Sequence, residues 1–127
     1  MSAPILRVCV QRETNDCAVA ALAMLLGRSY EDVLRAVTVS DKMQGRTGLW
    51  TKTMQRIARR LGFTLRVRRL TDLDAYGIIR LYDHAVVLRS GLIINPGDGT
   101  IWDADAYLSN YGVTPDDCQL LVAEEIE

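Results

Sequence analysis

The chain has 127 residues, and 1–127 reads as a single domain with one core. Apolar residues make up 49% and charged residues 24%, close to the globular average, which excludes a disordered chain. The formal net charge of −1 argues against a dedicated nucleic-acid binder, and one histidine with three scattered cysteines argues against a structural zinc site or a disulfide framework.

In chain order, "MSAPILRVCV" lacks the charged leader and long apolar run of a signal peptide. The longest apolar stretch, "AVAALAMLLG", is core-helix length and falls short of the roughly 18 residues needed to cross a bilayer. The expectation is a reduced, cytoplasmic protein. Residues 5–10 read as a short strand with Cys9 in the core, and "RETND" (12–16) reads as a turn with helix-capping residues. An almost wholly apolar helix is expected over 17–27, closed by Gly27 and buried on most sides. A second helix follows over 29–39, with Ser29 as cap and Val33, Leu34 and Val37 on one face. After a loop at 40–48, residues 49–62 form an amphipathic helix with Trp50, Met54, Ile57 and Leu61 at helical spacing.

Beyond residue 62 the period becomes two. "FTLRVRR" alternates as a strand with one wet face, and "LTDLDAYG" is a short link. "IIRLY", "HAVVLR" and "LIIN" are strands, the last two joined by a turn at "SG". "PGDGT" is another turn, "IWDADAYLSNYG" runs from a strand into a short helix, and "CQLLVAEEI" is a last strand. The expected class is α+β, with N-terminal helices packed on a C-terminal antiparallel sheet.

Cys17 stands where the apolar helix begins. A helix N-terminus and a nearby imidazolium both favour the nucleophilic thiolate, whereas a lone cysteine is commonly an inert core residue. His84, the only histidine, is the only candidate general base. With "RSG" as the turn, Leu88 is expected near Leu92, Val86 near Ile94 and His84 near Pro96, which brings Asn95 beside the imidazole. Asn95 is therefore the first candidate to orient the ring, with Asp98 and Asp103 as alternatives. Gln11 lies upstream, where its side-chain amide and the Cys17 backbone N–H supply two donors for an oxyanion.

The motif Q-x5-D-C-A-x-A-A-L-A-M-L-L-G resembles the N-terminal signature of the bacteriocin-processing, papain-like cysteine peptidases, which remove double-glycine leader peptides. "GRTGLWTKTMQRIARRLGFTLRV" is similar to that family's loop, helix and strand entry. "HAVVL" is similar to its catalytic-histidine strand and "IINP" to its "DP" segment. The resemblance implies a papain-like fold, a Cys17 nucleophile, a His84 base, Asn95 as third member and Gln11 in the oxyanion hole. It implies no cofactor. The chain departs from the family pattern at Ala18, where the family has glycine, and at Asn95, where it has aspartate.

The function expected is a cysteine peptidase that hydrolyses a peptide or isopeptide bond through a thioester. An amidase, deamidase or acyl transferase shares that machinery, and a non-catalytic peptide-binding module shares the fold. The expected partner is a peptide or protein, with no nucleic acid and no membrane. The basic run over 59–69 reads as a solvated face with cations near a helix end. Trp102 and Tyr107 are read as walls of a substrate cleft, with a core role for Trp102 equally open, and Cys118 is given no chemical role.

Overall fold

The computed structural model describes residues 17–38, 51–81 and 84–126. The strand and turn expected over 5–16, the loop at 40–48 and the side chains of Cys9, Gln11 and Trp50 lie outside the described residues.

Helix α1, Cys17–Leu26, is buried at all ten positions. Its alanines, leucines and methionine are strong helix formers, and its uniform apolarity leaves no face that favours water. It is surrounded by α2 (Tyr30–Ala36), α3 (Thr51–Arg60) and the sheet strands β2 (Tyr76–Arg80) and β3 (Ala85–Arg89). Ser29 caps α2 as expected, its Oγ accepting from the Asp32 N–H at 3.1 Å. On α3 the buried Thr53, Met54, Ile57 and Ala58 recur at helical spacing and the rest faces solvent. The Arg60 guanidinium donates to the Ala36 carbonyl at 2.8 Å, joining the end of α3 to the end of α2.

The last turn of a buried helix leaves carbonyls that need donors. At Gly27 the backbone turns left-handed, with φ of 66°, so that the Arg28 N–H reaches the Ala23 carbonyl at 3.0 Å. The Tyr76 hydroxyl, from β2, lies 3.2 Å from the Met24 carbonyl oxygen and 3.1 Å from that of Leu25. Tyr76 thereby fastens the sheet to the helix end.

The remaining strands are β1 (Phe63–Arg69), β4 (Leu92–Ile94), β5 (Ile101–Asp103) and β6 (Gln119–Glu125). They form one antiparallel sheet in the order β1-β6-β2-β3-β4-β5. Alternate residues serve two cores. Ile78, Ala85, Val87, Ile94 and Leu121 face α1. Ile79, Val86, Leu88, Ile93 and Leu120 face the other way, toward α4 (Ala104–Tyr111) with its buried Ala104, Tyr107 and Leu108. Coverage of both faces explains why the central strands read as unbroken apolar runs rather than alternating ones. Gly77 sits where β2 meets β6. A Cβ there would lie 2.5 Å from the Leu121 carbonyl oxygen, so only glycine fits without a shift.

The β3–β4 hairpin corrects one expectation. Arg89 pairs with Leu92, Leu88 with Ile93 and Val87 with Ile94, one residue away from the register expected. Ser90 and Gly91 both have positive φ, 50° and 81°, as in a type I′ turn. The turn therefore has two residues, and Arg89 belongs to the strand. The helix expected over 49–62 is described as Thr51–Arg60, and the strand expected at 78–82 begins two residues earlier, at Tyr76. The basic run disperses: Arg59 and Arg60 close α3, Arg66 pairs with Glu124 at 3.2 Å, and Arg68 and Arg69 are exposed on β1.

Replacing Tyr76 by phenylalanine removes the hydroxyl shared by the two helix-end carbonyls while keeping the ring. Denaturant unfolding is expected to show a loss of about 1–2 kcal/mol. An unchanged midpoint would mean that other donors already satisfy those carbonyls.

Candidate active site

Cys17 is the first residue of α1 and is 6% exposed. The unpaired N–H groups of a helix start carry partial positive charge. Burial by itself pushes this thiol up. A hydrogen bond to the His84 side chain, a backbone hydrogen bond from Ala85, the charge on His84 and a backbone hydrogen bond from Ala18 together outweigh burial and hold Cys17 below the usual thiol range. Ala18 itself is buried, at 1% exposure, so the core accepts a methyl group beside the thiol.

His84 immediately precedes β3, and α1 lies across β3, so the helix start meets the strand start. The Leu81 N–H donates to the His84 carbonyl at 2.8 Å, which holds the approach to the strand. The ring atom Nε2 is 2.6 Å from Asn95 Oδ1. That same Oδ1 accepts the Gly97 N–H at 2.9 Å. An atom that accepts from a backbone N–H is the amide oxygen, so Nε2 must carry the hydrogen in this pair. The tautomer follows. Nδ1 is left as the ring nitrogen that takes or gives a proton toward the thiol.

The loop carrying Asn95 is itself closed. The Asn95 N–H donates to the Thr100 carbonyl at 2.9 Å, and the Gly99 N–H donates to the Asn95 carbonyl at 2.7 Å. A Cβ on Gly97 would lie 3.1 Å from Asn95 Oδ1 and 3.8 Å from His84 Cε1. Glycine lets the backbone approach both groups closely.

The structure thus brings Cys17, His84 and Asn95 together. It turns the two alternatives elsewhere: the Asp98 Oδ1 accepts from Thr100, and the Asp103 Oδ2 caps α4 by accepting the Ala106 N–H at 3.1 Å. Gln11 lies outside the described residues. Trp102 and Tyr107 do not form walls beside Cys17. Tyr107 belongs to the core on the far face of the sheet, and Trp102 pairs across the ladder with Ile93, which faces that same side. Their rings meet edge to face, with centroids 5.8 Å apart. Cys118 is buried, and burial followed by the charge on Asp117 pushes its thiol up. The two described cysteines are unbridged and have opposite characters.

Two contributors were invisible to side-chain reasoning. Ala85 and Gly97 act through backbone N–H groups. Only the turn composition of "NPGDG" hinted at the second. Among the described residues no group of three or more His, Cys, Asp or Glu side chains is assembled to hold a metal, and no helix is long and apolar enough to cross a membrane.

The model of the peptidase C39 family matches residues 6–90. No curated protein matches the chain significantly. Several solved structures share its fold. A double glycine motif protease from an AMS/PCAT transporter, in complex with the leader peptide, is 20% identical and has a TM-score of 0.66, with 97% of this chain and 93% of that one covered. The peptidase domain of Streptococcus ComA, a bi-functional ABC transporter involved in a quorum-sensing pathway, is 16% identical with a TM-score of 0.58, covering 92% of this chain and 98% of that one. The α+β, papain-like arrangement of helices on an antiparallel sheet is theirs as well.

The contrast between the two described thiols is directly measurable. In a Cys9→Ser background, iodoacetamide is expected to alkylate Cys17 well below the pH at which an ordinary thiol ionises, near 8.5, and Cys118 only above it. His84→Ala should return Cys17 to slow, ordinary-thiol behaviour. Equal pH profiles for the two cysteines would contradict the electrostatic account.

Proposed function

Because the chain belongs to the peptidase C39 family and is a cysteine peptidase, we propose that it cleaves a peptide carrying a double-glycine motif, using Cys17 as nucleophile, His84 as base and acid, and Asn95 to orient the imidazole. The observation that carries this reading is the pairing on both sides of His84. One side hydrogen-bonds the buried thiol, and Nε2 is held by Asn95 at 2.6 Å.

The thiolate attacks the scissile carbonyl carbon, and the carbonyl electrons move onto oxygen. The Cys17 backbone N–H at the helix start and the Gln11 side-chain amide are the two donors assigned to that oxyanion. The imidazolium gives its Nδ1 proton to the departing amine, and the C–N bond breaks to leave a thioester on Sγ. Water then attacks the thioester. His84 takes the water proton, and the thiolate leaves as the second tetrahedral species collapses. Asn95 keeps the ring plane fixed throughout, because its oxygen is anchored by Gly97.

The substrate class is supported by the solved double glycine motif protease and by the geometry of the nucleophile. A thiol only 6% exposed is recessed. Residues without a Cβ on the acyl side of the scissile bond let the peptide backbone approach it closely.

A synthetic peptide with two glycines before the scissile bond tests this by mass spectrometry. Two fragments separated after the second glycine are expected, and valine in place of that glycine should suppress the cut. Cys17→Ala should abolish turnover, and His84→Ala should lower kcat/KM by at least about 10³. Gln11→Ala should cost about 10²–10³ in kcat if the amide serves the oxyanion. Binding without cleavage by the wild type would favour the binding module instead. Undiminished cleavage by Cys17→Ala would remove the thiol from the chemistry.

A further inference from the structure

The end of the sheet nearest the thiol carries a rung of polar side chains that the triad does not use. Arg80 pairs across the ladder with Ala85, Gln119 with Arg80, and Arg69 with Gln119. The rung begins at Ala85, the residue whose backbone N–H reaches Cys17. Alternation along each strand puts all four side chains on one face. Ala85, Ile78, Leu121 and Leu65 belong to the core around α1, and Arg80, Gln119 and Arg69 lie an even number of residues from their strand's member of that core. The next rung inward holds Val87, Ile78 and Leu121, all wholly buried. The outer rung is therefore the border between core and water on the face that carries the nucleophile. Exposure rises along it, from buried Ala85 through half-buried Arg80 to exposed Gln119 and Arg69.

At its far end the rung meets a cleft of about 290 Å³, bounded by Val67, Arg69 and Gln119 on the sheet and by Asp116 and Asp117 of the turn Pro115–Asp117. Val67, 42% exposed, gives the cleft an apolar patch. The Asp117 carboxylate is turned to its own loop, where it accepts the Thr114 hydroxyl at 2.8 Å. Among the described residues the Arg69 guanidinium has no ion pair or hydrogen bond, unlike Arg66, which is paired with Glu124. An arginine left unused by the fold, beside an amide and above an apolar patch, matches the planar geometry of a carboxylate. From β3 to β1 there are three strand spacings, about 14 Å. That is the reach of about four residues of extended peptide.

We infer that this rung is a specificity subsite: a substrate peptide that runs from Cys17 across the strand ends sets an acidic side chain, about four residues from the scissile bond, against Arg69. The inference rests on the peptidase reading of Cys17 and His84, and it adds a selection on sequence beyond the two glycines. Gln119, between the two arginines, carries an amide that can both donate to and accept from the backbone of the same peptide. Asp116 and Asp117 on the opposite wall repel a run of acidic residues, so the preference is for one carboxylate placed at Arg69.

Synthetic double-glycine peptides test this with the full chain. A single glutamate or its neutral isostere glutamine is moved, one position at a time, through the third to sixth residues on either side of the cut. The ratio of kcat/KM for the two peptides isolates the charge. At one position, on one side, glutamate is expected to be favoured roughly three- to fivefold at low salt, through KM rather than kcat. The preference should shrink at about 0.5 M salt, because Arg69 is exposed and its field is screened. Arg69→Gln should bring the ratio at that position close to one, and Arg69→Glu should make lysine preferred there instead. If every position gives a ratio near one in the wild type, or if the preference survives Arg69→Gln, the subsite is overturned while cleavage still upholds the peptidase. If the wild type cleaves none of the peptides, the peptidase reading fails and this inference falls with it.

Discussion

Burying a helix on every side obliges both of its ends to find hydrogen-bond partners, and α1 meets that obligation differently at each end. At the C-terminal end the solution is structural: Gly27 turns the chain, and Tyr76 reaches over from the sheet. At the N-terminal end the solution is chemical. The first residue is a thiol, and the backbone donors around it, Ala18 and Ala85, favour its anionic form. Folding and reactivity draw on the same unsatisfied amides. A methionine or leucine at position 17 would serve the core equally well and leave those donors without an acceptor.

The sheet supplies the second half of the arrangement. Its central strands divide their residues between two cores, and this rigid double packing delivers His84 at one strand start and Asn95 at the next strand end. A sheet covered on one face only would leave the β3–β4 hairpin free to flex. Here Val86, Leu88 and Ile93 on one side and Val87 and Ile94 on the other hold it from both directions. The 2.6 Å contact between His84 and Asn95 depends on that restraint.

Much of this was readable in the residues. The switch from helical to strand period at Gly62, the cap at Ser29 and the wholly apolar stretch after Cys17 each have one physical interpretation, and the structure bears those out. The hairpin register was not readable, because "RSG" gives no sign that Ser90 would adopt a positive φ and restrict the turn to two residues. Asn95 was still matched to His84, since a side chain amide spans more than the one-residue error. Of the two readings open for Trp102, the cleft wall is the one that fails, because which face a residue takes depends on register and Trp102 faces the same side as Ile93. The Tyr76 tie and the hydrogen bonds from Thr100 to Asp98 join residues whose types are common on any surface, and nothing in their spacing marks them.

The separation of the site along the chain has a kinetic consequence. His84 and Asn95 sit on one hairpin, eleven residues apart. Such a local loop closes early and at low entropic cost. Cys17 belongs to the other half of the chain and joins them only when α1 is enclosed by the sheet. The pairing of base and orienting amide is therefore a local contact, and the pairing of base and nucleophile a long-range one. A chain in which α1 has not docked on the sheet lacks the His84 and Ala85 partners of Cys17 and carries an ordinary thiol, so that the fold is itself the safeguard against premature attack on neighbouring polypeptide.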